Sequence, residues 1–358
     1  MSALLLGELL PCALAPVRQP GIRLPTPLDE RADIGSALGE RFYVKREDLL
    51  DDLGTGHKSR KLAYVAADFV AAGADVLITG GSLPSGQCAA VAALAQSRGI
   101  RAHLVYCGDE QARPRFPSGS YLLALLMGPT ISWYEREPWA HIADLLAQTA
   151  LAEESRGARA YIIPPGLDAW PGILGSIELG LELAGQLAAI PGGGSPSHVV
   201  APAGSGTTCL GLSIAARLLR LPWTVHGMCI GGSASAIREN IASTRSMAAE
   251  RLAAPQLADA AVTIHGDSLG RGYDQPTGDE LAHMRHMLRR FQLPLDPNYM
   301  LKTFLGLRQG LRSGAFAGAD RIILVHTGGN AGVVGGSEAL TSWLLEGDMA
   351  RHIMPGGR

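Results

Sequence analysis

The sequence predicts an α/β protein in which parallel twisted sheets are flanked by helices. Short apolar runs bounded by Gly or Pro alternate along the chain with longer Ala- and Leu-rich stretches of helical character. Several of these runs are continuously apolar, which is typical of strands covered by helices on both faces. The 358 residues are 47% hydrophobic and include 45 Gly, which suits a large core with many tight turns.

The predicted elements follow one another as βαβ units do. We expect strands at residues 75–79, 102–106, 160–163, 198–201, 224–229 and 321–326. Helices are expected between them at residues 61–72, 87–98, 173–189 and 208–219. A strand that passes through a Gly-rich turn into a helix and then into another strand favours a parallel sheet. The apolar residues 1–16 are interrupted by Pro11 and Pro16 and are expected to form a strand or an extended arm.

Charge and composition exclude several classes of protein. The 31 basic and 33 acidic residues give a net charge of −2, which leaves no electrostatic footprint for nucleic acid or an anionic membrane. No window reaches the roughly 18 uninterrupted apolar residues of a membrane span. The N-terminal stretch lacks the basic segment of a signal peptide, so a cytoplasmic location is expected by default. The five scattered Cys have neither disulfide-framework nor metal-ligand spacing, and no metal is expected.

One lysine lies where a strand-to-helix turn opens a helix. Residues 54–62 read GTGHKSRKL and follow a strand-like segment at 43–46. A lysine at such a turn can be partly desolvated, which lowers its pKa and frees the amine for a Schiff base. Lys58 is therefore a candidate nucleophile, and a solvated basic loop is the alternative.

Two further turns complete the pattern of a cofactor site. Residues 203–208 read AGSGTT between a strand and a helix, where unpaired N–H groups and the helix dipole can hold a monophosphate. The turn lacks a P-loop lysine and a dinucleotide fingerprint, which disfavours nucleotides. Residues 326–332, HTGGNAG, could receive the edge of a flat heterocycle. A Schiff-base lysine, a monophosphate cup and a ring-receiving turn together indicate a pyridoxal 5′-phosphate site.

Eight blocks in the same order resemble the 1-aminocyclopropane-1-carboxylate deaminase/D-cysteine desulfhydrase family of pyridoxal-phosphate enzymes. The blocks are PTPLDE (25–30), FYVKREDL (42–49), GTGHKSRKL (54–62), TGGSLPSGQCAAVAALA (79–95), GSGTT (204–208), GRGYDQP (270–276), DPNYMLK (296–302) and HTGGNAG (326–332). The resemblance implies the two-domain tryptophan-synthase-β-like fold, fold type II, with the cofactor in the interdomain cleft. Residues 1–60 and 173–358 would form the large cofactor-binding domain, and residues 61–172 a small inserted domain. A homodimer is expected from the family alone.

The resemblance also implies a role for each matching residue. Lys58 would bind pyridoxal phosphate covalently, and His57 and Thr327 would lie beside its ring. Ser85, Gly86 and Gln87 would bind the substrate, and Ser85, Tyr273 and Tyr299 would act with Lys58 in catalysis. The residues that would hold the phosphate, largely through backbone N–H groups, are Gly204, Ser205, Gly206, Thr207 and Thr208.

Four positions depart from the family pattern. His57 and Gly86 replace residues that are usually Asn, and Ala89 replaces an Arg. Met300 stands where the deaminases carry an acidic residue that keeps the pyridine nitrogen protonated. A neutral ring is a weaker electron sink, so cyclopropane ring opening is disfavoured. His57 or Gln87 could compensate for the missing amide at Gly86.

The resemblance and these departures favour a lyase of the D-cysteine desulfhydrase type. It would carry out α,β-elimination on a small β-substituted amino acid and release a keto acid and ammonia. A β-replacement synthase or a specialised biosynthetic enzyme would share the chemistry as far as elimination. A 1-aminocyclopropane-1-carboxylate deaminase and a catalytically degraded binding protein are the remaining alternatives.

Overall fold

The computed structural model describes residues 2–108, 114, 116–135, 138–168, 170–266, 269–335, 340 and 342–344. The strands are β1 Leu28–Glu30, β2 Phe42–Arg46, β3 Val76–Gly80, β4 Arg101–Gly108, β5 Thr130–Glu135, β6 Ala160–Ile163, β7 Ser197–Ala203, β8 Trp223–Cys229, β9 Thr263–His265 and β10 Arg321–His326. The helices are α1 Ser2–Leu9, α2 Ala32–Leu38, α3 His57–Ala71, α4 Gly86–Ser97, α5 Gly119–Leu126, α6 Ile142–Glu154, α7 Gly172–Ala188, α8 Thr207–Leu218, α9 Ala234–Arg251, α10 Gly278–Phe291, α11 Met300–Arg312 and α12 Asn330–Val334. None of the helices within these ranges is both long and apolar enough to cross a membrane.

The strands form two separate sheets. One has six strands in the order β1-β2-β10-β7-β8-β9, and the other has four in the order β5-β4-β3-β6. All neighbouring strands are parallel except the pair of β1 and β2. The strands of the four-stranded sheet all come between β2 and β7 in the sequence. The predicted α/β class with parallel sheets is confirmed, and the domain boundaries at residues 60/61 and 172/173 stay a prediction.

The N-terminal segment differs from its prediction. It forms helix α1 and not a strand or an extended arm. Leu6 and Leu10, one helical turn apart, are both 1% exposed and belong to the core cluster that includes α7. Burial of these two side chains favours the helix, and Pro11 ends it because a residue before proline is driven out of the helical region.

Glycines bring the backbones of α3, α7 and α8 close together. A Cβ on Gly175 of α7 would lie 2.7 Å from Lys61 Cα and 2.8 Å from Arg60 O, both on α3. A Cβ on Gly211 of α8 would collide with Ser176 of α7. Helix α7 therefore fixes the distance at which α3, the helix that carries Lys58, packs against it.

Gly175→Ala is expected to destabilise the protein because the new methyl group meets backbone atoms, which cannot rotate away. We expect a loss of about 1–3 kcal/mol in the unfolding free energy, as for other overpacked sites. Gly185→Ala on the same helix is the control, since its Cβ would meet nothing within 4 Å. That change should be neutral or stabilising, by up to about 1 kcal/mol. Equal unfolding midpoints in urea for the two variants would contradict the packing argument.

A buried polar cluster joins the first turn of α3 to α7. The cluster consists of Thr26, Lys45, Glu47, His57, Arg60, Ser176, Glu178, Glu182 and Gln186. Arg60, 0% exposed, donates to Glu47 at 2.8 and 2.7 Å and to Glu182 at 3.1 Å. Burial alone would raise the pKa of Glu47, but the Arg60 guanidinium holds it well below its usual value. The cluster fixes the direction in which the first turn of α3 faces.

His57 belongs to this cluster as a neutral imidazole. Its Nδ1 lies 3.3 Å from Glu47 Oε2 and its Nε2 lies 3.2 Å from Ser176 Oγ. Burial lowers the pKa of His57 from 6.5 to about 4, although the Glu47 carboxylate opposes this change. A histidine that charges only in the unfolded chain makes the folded state less stable as the pH falls.

The unfolding free energy is therefore expected to fall as the pH drops from about 6.5 to about 4. In this window the unfolded chain binds a proton at His57 that the folded chain does not, which costs about 1.4 kcal/mol per pH unit. His57→Asn should reduce the slope of the unfolding free energy against pH in this window by about 1.4 kcal/mol per pH unit, which is the contribution of one proton. The exposed His286→Asn is the control and should leave it unchanged. Identical pH profiles of wild type and His57→Asn would contradict the neutral buried histidine.

Candidate active site

Lys58 projects from the first turn of α3 beside the turn that follows β10. The His57 N–H donates to the Thr327 carbonyl at 2.9 Å, which ties the two turns together. Gly56 has a φ of +65°, and a Cβ there would lie 2.9 Å from Gly328 Cα. This close approach requires a glycine. It brings the turn that carries the lysine against the turn that carries Thr327.

The Lys58 amine is partly desolvated. Its side chain is half-buried, and no hydrogen bond joins its Nζ to another group in the described part of the chain. Burial lowers the pKa of Lys58, while the negative charge of Asp168 acts in the opposite direction. A lowered pKa increases the fraction of neutral amine, which is the nucleophilic form.

The turn at residues 204–208 leaves a row of N–H groups free at the start of α8. Gly206 precedes the helix in the left-handed region, with a φ of +86°. None of the backbone N–H groups of residues 204–208 donates a hydrogen bond to any described residue. Asn240 holds the turn by donating its amide to the Ser205 carbonyl at 2.8 Å. Free N–H groups at a helix N-terminus bind anions, in accordance with the predicted phosphate cup.

Lys61 adds a positive charge to this cup, which the sequence analysis missed. Its Nζ donates to Thr207 Oγ1 at 2.7 Å and to the Gly166 carbonyl at 2.6 Å. Burial, aided by the positive charge of Lys58, lowers the pKa of Lys61 to about 7. Lysines 58 and 61 are three residues apart and share one face of α3, and this spacing is the signal that could have identified the second lysine.

Three hydroxyl groups from separate segments of the chain form one hydrogen-bonded network. The phenols of Tyr273 and Tyr299 are 2.7 Å apart, and Ser82 Oγ donates to the Tyr273 phenol at 3.1 Å. Burial raises the pKa of both phenols, so both are protonated at neutral pH. The two predicted tyrosines are thus brought together, and the serine in contact with them is Ser82, which the sequence analysis did not select.

Ser85, Gly86 and Gln87 lie at the start of α4 and make no hydrogen bond to Tyr273 or Tyr299 among the described residues. Ser85 is the N-cap residue and faces the thiol of Cys88, whose pKa is raised by burial to about 12. A Cβ on Gly86 would meet only the Thr55 carbonyl, at 3.7 Å. The roles assigned to Ser85, Gly86 and Gln87 stay predictions.

Gln87 carries an orphaned polar atom. Its amide Nε2 donates to Thr79 Oγ1 at 2.9 Å and to the Pro164 carbonyl at 2.8 Å. Its Oε1 is buried and makes no hydrogen bond to the described residues. A buried acceptor without a partner is costly, so this oxygen is available to a bound ligand or water.

Met300 packs against the hydroxyl of Thr327. Its sulfur lies 3.4 Å from the Thr327 N–H nitrogen and 3.6 Å from its Oγ1. The Asp296 carboxylate accepts hydrogen bonds from the N–H groups of Asn298, Tyr299 and Met300, at 2.8–3.0 Å. These bonds fix Tyr299 and Met300 at the start of α11. The side chain in contact with Thr327 is therefore a thioether, while the carboxylates of Asp48 and Asp296 lie beside other residues of the same turn.

His57 does not face the cleft. Its side chain points from α3 toward Glu47 and Ser176, so the described geometry does not bring it to Lys58 Nζ. Its assignment as a cofactor-binding residue stays a prediction. The remaining residues fit pyridoxal phosphate: a partly desolvated amine, free N–H groups at a helix start, a buried lysine beside them and an orphaned amide oxygen.

Comparison with known proteins agrees with this set of groups. The profile of the family "Pyridoxal-phosphate dependent enzyme" matches residues 21–328. The D-cysteine desulfhydrase of Klebsiella pneumoniae (strain 342) is 30% identical over 312 residues, covering 86% of this chain and 92% of that protein. The D-cysteine desulfhydrase of Yersinia pestis (strain Pestoides F) is 29% identical over 309 residues, covering 85% of this chain and 91% of that protein.

Solved structures give the same result for the fold. A crystal structure described as an ACC deaminase homologue superposes with a TM-score of 0.82 at 28% identity, covering 95% of this chain and 99% of that one. Maize serine racemase has a TM-score of 0.59 at 17% identity, covering 92% of this chain and 94% of that one, and shares the fold alone. The chain belongs to the family of pyridoxal-phosphate dependent enzymes and has their fold type II architecture.

Proposed function

We propose that this enzyme is a lyase that carries out α,β-elimination on a small amino acid with a leaving group on Cβ, with D-cysteine as the favoured substrate. The observation that carries the proposal is the hydroxyl network of Ser82, Tyr273 and Tyr299 together with the partly desolvated amine of Lys58. The relatives named D-cysteine desulfhydrase support this substrate class.

Bound pyridoxal phosphate would supply the electron sink that weakens the Cα–H bond of the substrate. Lys58 would hold the cofactor, and its amine would then move the Cα proton. Lys61 and the N–H groups of residues 204–208 would bind the phosphate. The start of α4 offers free N–H groups and a favourable dipole for the substrate carboxylate, with Ser85 at its N-cap position.

The two tyrosines are suited to donate hydrogen bonds. Both phenols stay protonated at neutral pH, and a raised pKa makes a phenol a weaker acid than a thiol, so they would stabilise the sulfur that leaves Cβ by a hydrogen bond and not by complete proton transfer. The hydrogen bond between the phenols holds the two hydroxyl groups in one orientation. Ser82 orients Tyr273 by donating to its oxygen, so we propose Ser82 in addition to Ser85 as a functional serine.

If Ser82 is the functional serine, the match to the family's Ser-Asn pair moves by three residues along the chain. The residue after the serine is then Leu83, whereas it is Gly86 if Ser85 is the functional serine. Either alignment lacks the usual amide. The departure from the family therefore stands whichever serine acts.

Replacement chemistry is the second candidate. A β-replacement synthase needs the same groups up to departure of the leaving group, and the missing amide favours a specialised substrate. The thioether of Met300 beside Thr327 argues against the deaminase reaction. A degraded binding protein would need neither the intact lysine pair nor the tyrosine pair. By likeness to the family we also propose a cytoplasmic homodimer.

The substrate is tested by incubating the holoenzyme with D-cysteine, L-cysteine, D-β-chloroalanine and L-β-chloroalanine. The expected products from the D-enantiomer are pyruvate, ammonia and the free leaving group in equal amounts. The same reaction is repeated with an added thiol. Incorporation of the thiol in place of pyruvate release would identify a replacement synthase. Turnover of 1-aminocyclopropane-1-carboxylate in preference to cysteine would contradict the proposal.

Ser82→Ala is expected to lower kcat by about 100-fold, as for loss of a hydrogen bond that preorganises a group stabilising the transition state. Ser85→Ala is the matched control, three residues away on the same loop, and should act mainly on KM for the substrate carboxylate. Both are measured with the substrate identified above. A normal kcat for Ser82→Ala together with a large loss for Ser85→Ala would assign the catalytic role to Ser85.

A further inference from the structure

A carboxylate stands at the edge of the proposed phosphate cup. Asp168 follows a short 3-10 helix, Pro165–Leu167, which leads out of β6. Its Oδ1 lies 3.5 Å from Thr207 Oγ1, the hydroxyl that also accepts a hydrogen bond from Lys61. Asp168 therefore contacts Thr207, the first residue of α8, which is one of the residues with a free N–H group.

The backbone before Asp168 leaves room for its carboxylate. Gly166 has a φ of +80°, and a Cβ there would lie 2.8 Å from the Asp168 carboxyl carbon. The Gly166 carbonyl accepts a hydrogen bond from Lys61 Nζ at 2.6 Å. Lys61 thus lies between the Gly166 carbonyl and Thr207, and Asp168 borders the same space.

Asp168 also acts electrostatically on both lysines. Its charge favours the protonated forms of Lys58 and Lys61, against the effect of burial. It is the sole carboxylate with this effect on the two lysines in the part of the chain that the structure describes. A phosphate at the start of α8 would need the same Thr207 hydroxyl, and it would stand beside a second negative charge that repels it.

From this geometry we propose that Asp168 competes with the cofactor phosphate for the Thr207 hydroxyl and repels the phosphate charge, and so keeps the affinity for phosphate monoesters low. The inference rests on the proposed phosphate site. If the inference holds, the strength of cofactor binding depends on the charge of Asp168. The cofactor would be held mainly by its bond to Lys58, with a weakened phosphate contact.

The test measures binding to the enzyme after the cofactor has been stripped with hydroxylamine. Wild type and Asp168→Asn are titrated with pyridoxal phosphate by visible absorbance, and with inorganic phosphate as a competitor. At pH 6, where Lys61, with a pKa of about 7, is mainly protonated, loss of the negative charge should lower the Kd for both ligands by about tenfold. Pyridoxal, which lacks the phosphate, is the ligand control: an effect of Asp168 on Lys58 acts on pyridoxal and pyridoxal phosphate alike, so the tightening for pyridoxal phosphate should exceed that for pyridoxal. Asp279→Asn, on the exposed first turn of α10, is the variant control for charge alone.

The outcomes separate this inference from the proposed cofactor site. An unchanged or higher Kd for pyridoxal phosphate in both Asp168→Asn and Asp168→Ser would overturn the inference, provided that wild type binds the cofactor. Equal tightening of pyridoxal would overturn it too, because the effect would then act through Lys58 and not through the phosphate. Failure of wild type and both variants to bind pyridoxal phosphate or phosphate would overturn the cofactor site itself, and the inference with it. Binding by the variants alone would support the inference in its strongest form.

Discussion

The guanidinium of Arg60 joins three segments on which the active site depends. It makes a two-pronged contact with Glu47, which follows β2, and a further contact with Glu182 of α7. All three side chains are buried, so the removal of one partner would leave an uncompensated charge in the interior, at a cost of about 3–5 kcal/mol. Because Arg60 lies on α3 itself, these contacts fix the rotation of the helix about its axis. The orientation of Lys58 and Lys61 is therefore set by charges on another face of the same helix.

Two faces of α3 carry different pairs of side chains. His57 and Arg60 point into the buried cluster, whereas Lys61 contacts Thr207 at the start of α8 and Lys58 is influenced by the charge of Asp168. Each pair is three residues apart, and the faces differ by one residue, or about 100° around the helix. Burial lowers the pKa of both lysines while their separate environments give them separate tasks. An amine without a hydrogen-bond partner suits covalent chemistry, and one bound to the Thr207 hydroxyl suits anion binding.

Features carried by local sequence could be predicted, and features carried by packing could not. Lys58, the cup at residues 204–208 and the turn at Thr327 follow from Gly spacing at strand ends, because backbone geometry there needs few distant residues. The orientation of His57 depends on Glu47 and Ser176, which are 10 and 119 residues away in the chain. The contact of Ser82 with Tyr273 spans 191 residues. Helix α1 was mistaken for an extended arm because its short apolar sequence forms a helix only when Leu6 and Leu10 are buried by the rest of the protein.

The central claim is that Lys58 holds the cofactor covalently while Lys61 binds its phosphate without a covalent bond. The most direct measurement is borohydride reduction of the holoenzyme, followed by protease digestion and mass spectrometry of the peptides. The account predicts one reduced pyridoxyl-phosphate label, located on Lys58, with Lys61 unmodified. A label on Lys61, or on neither lysine in a protein that retains the cofactor's visible absorption, would contradict it.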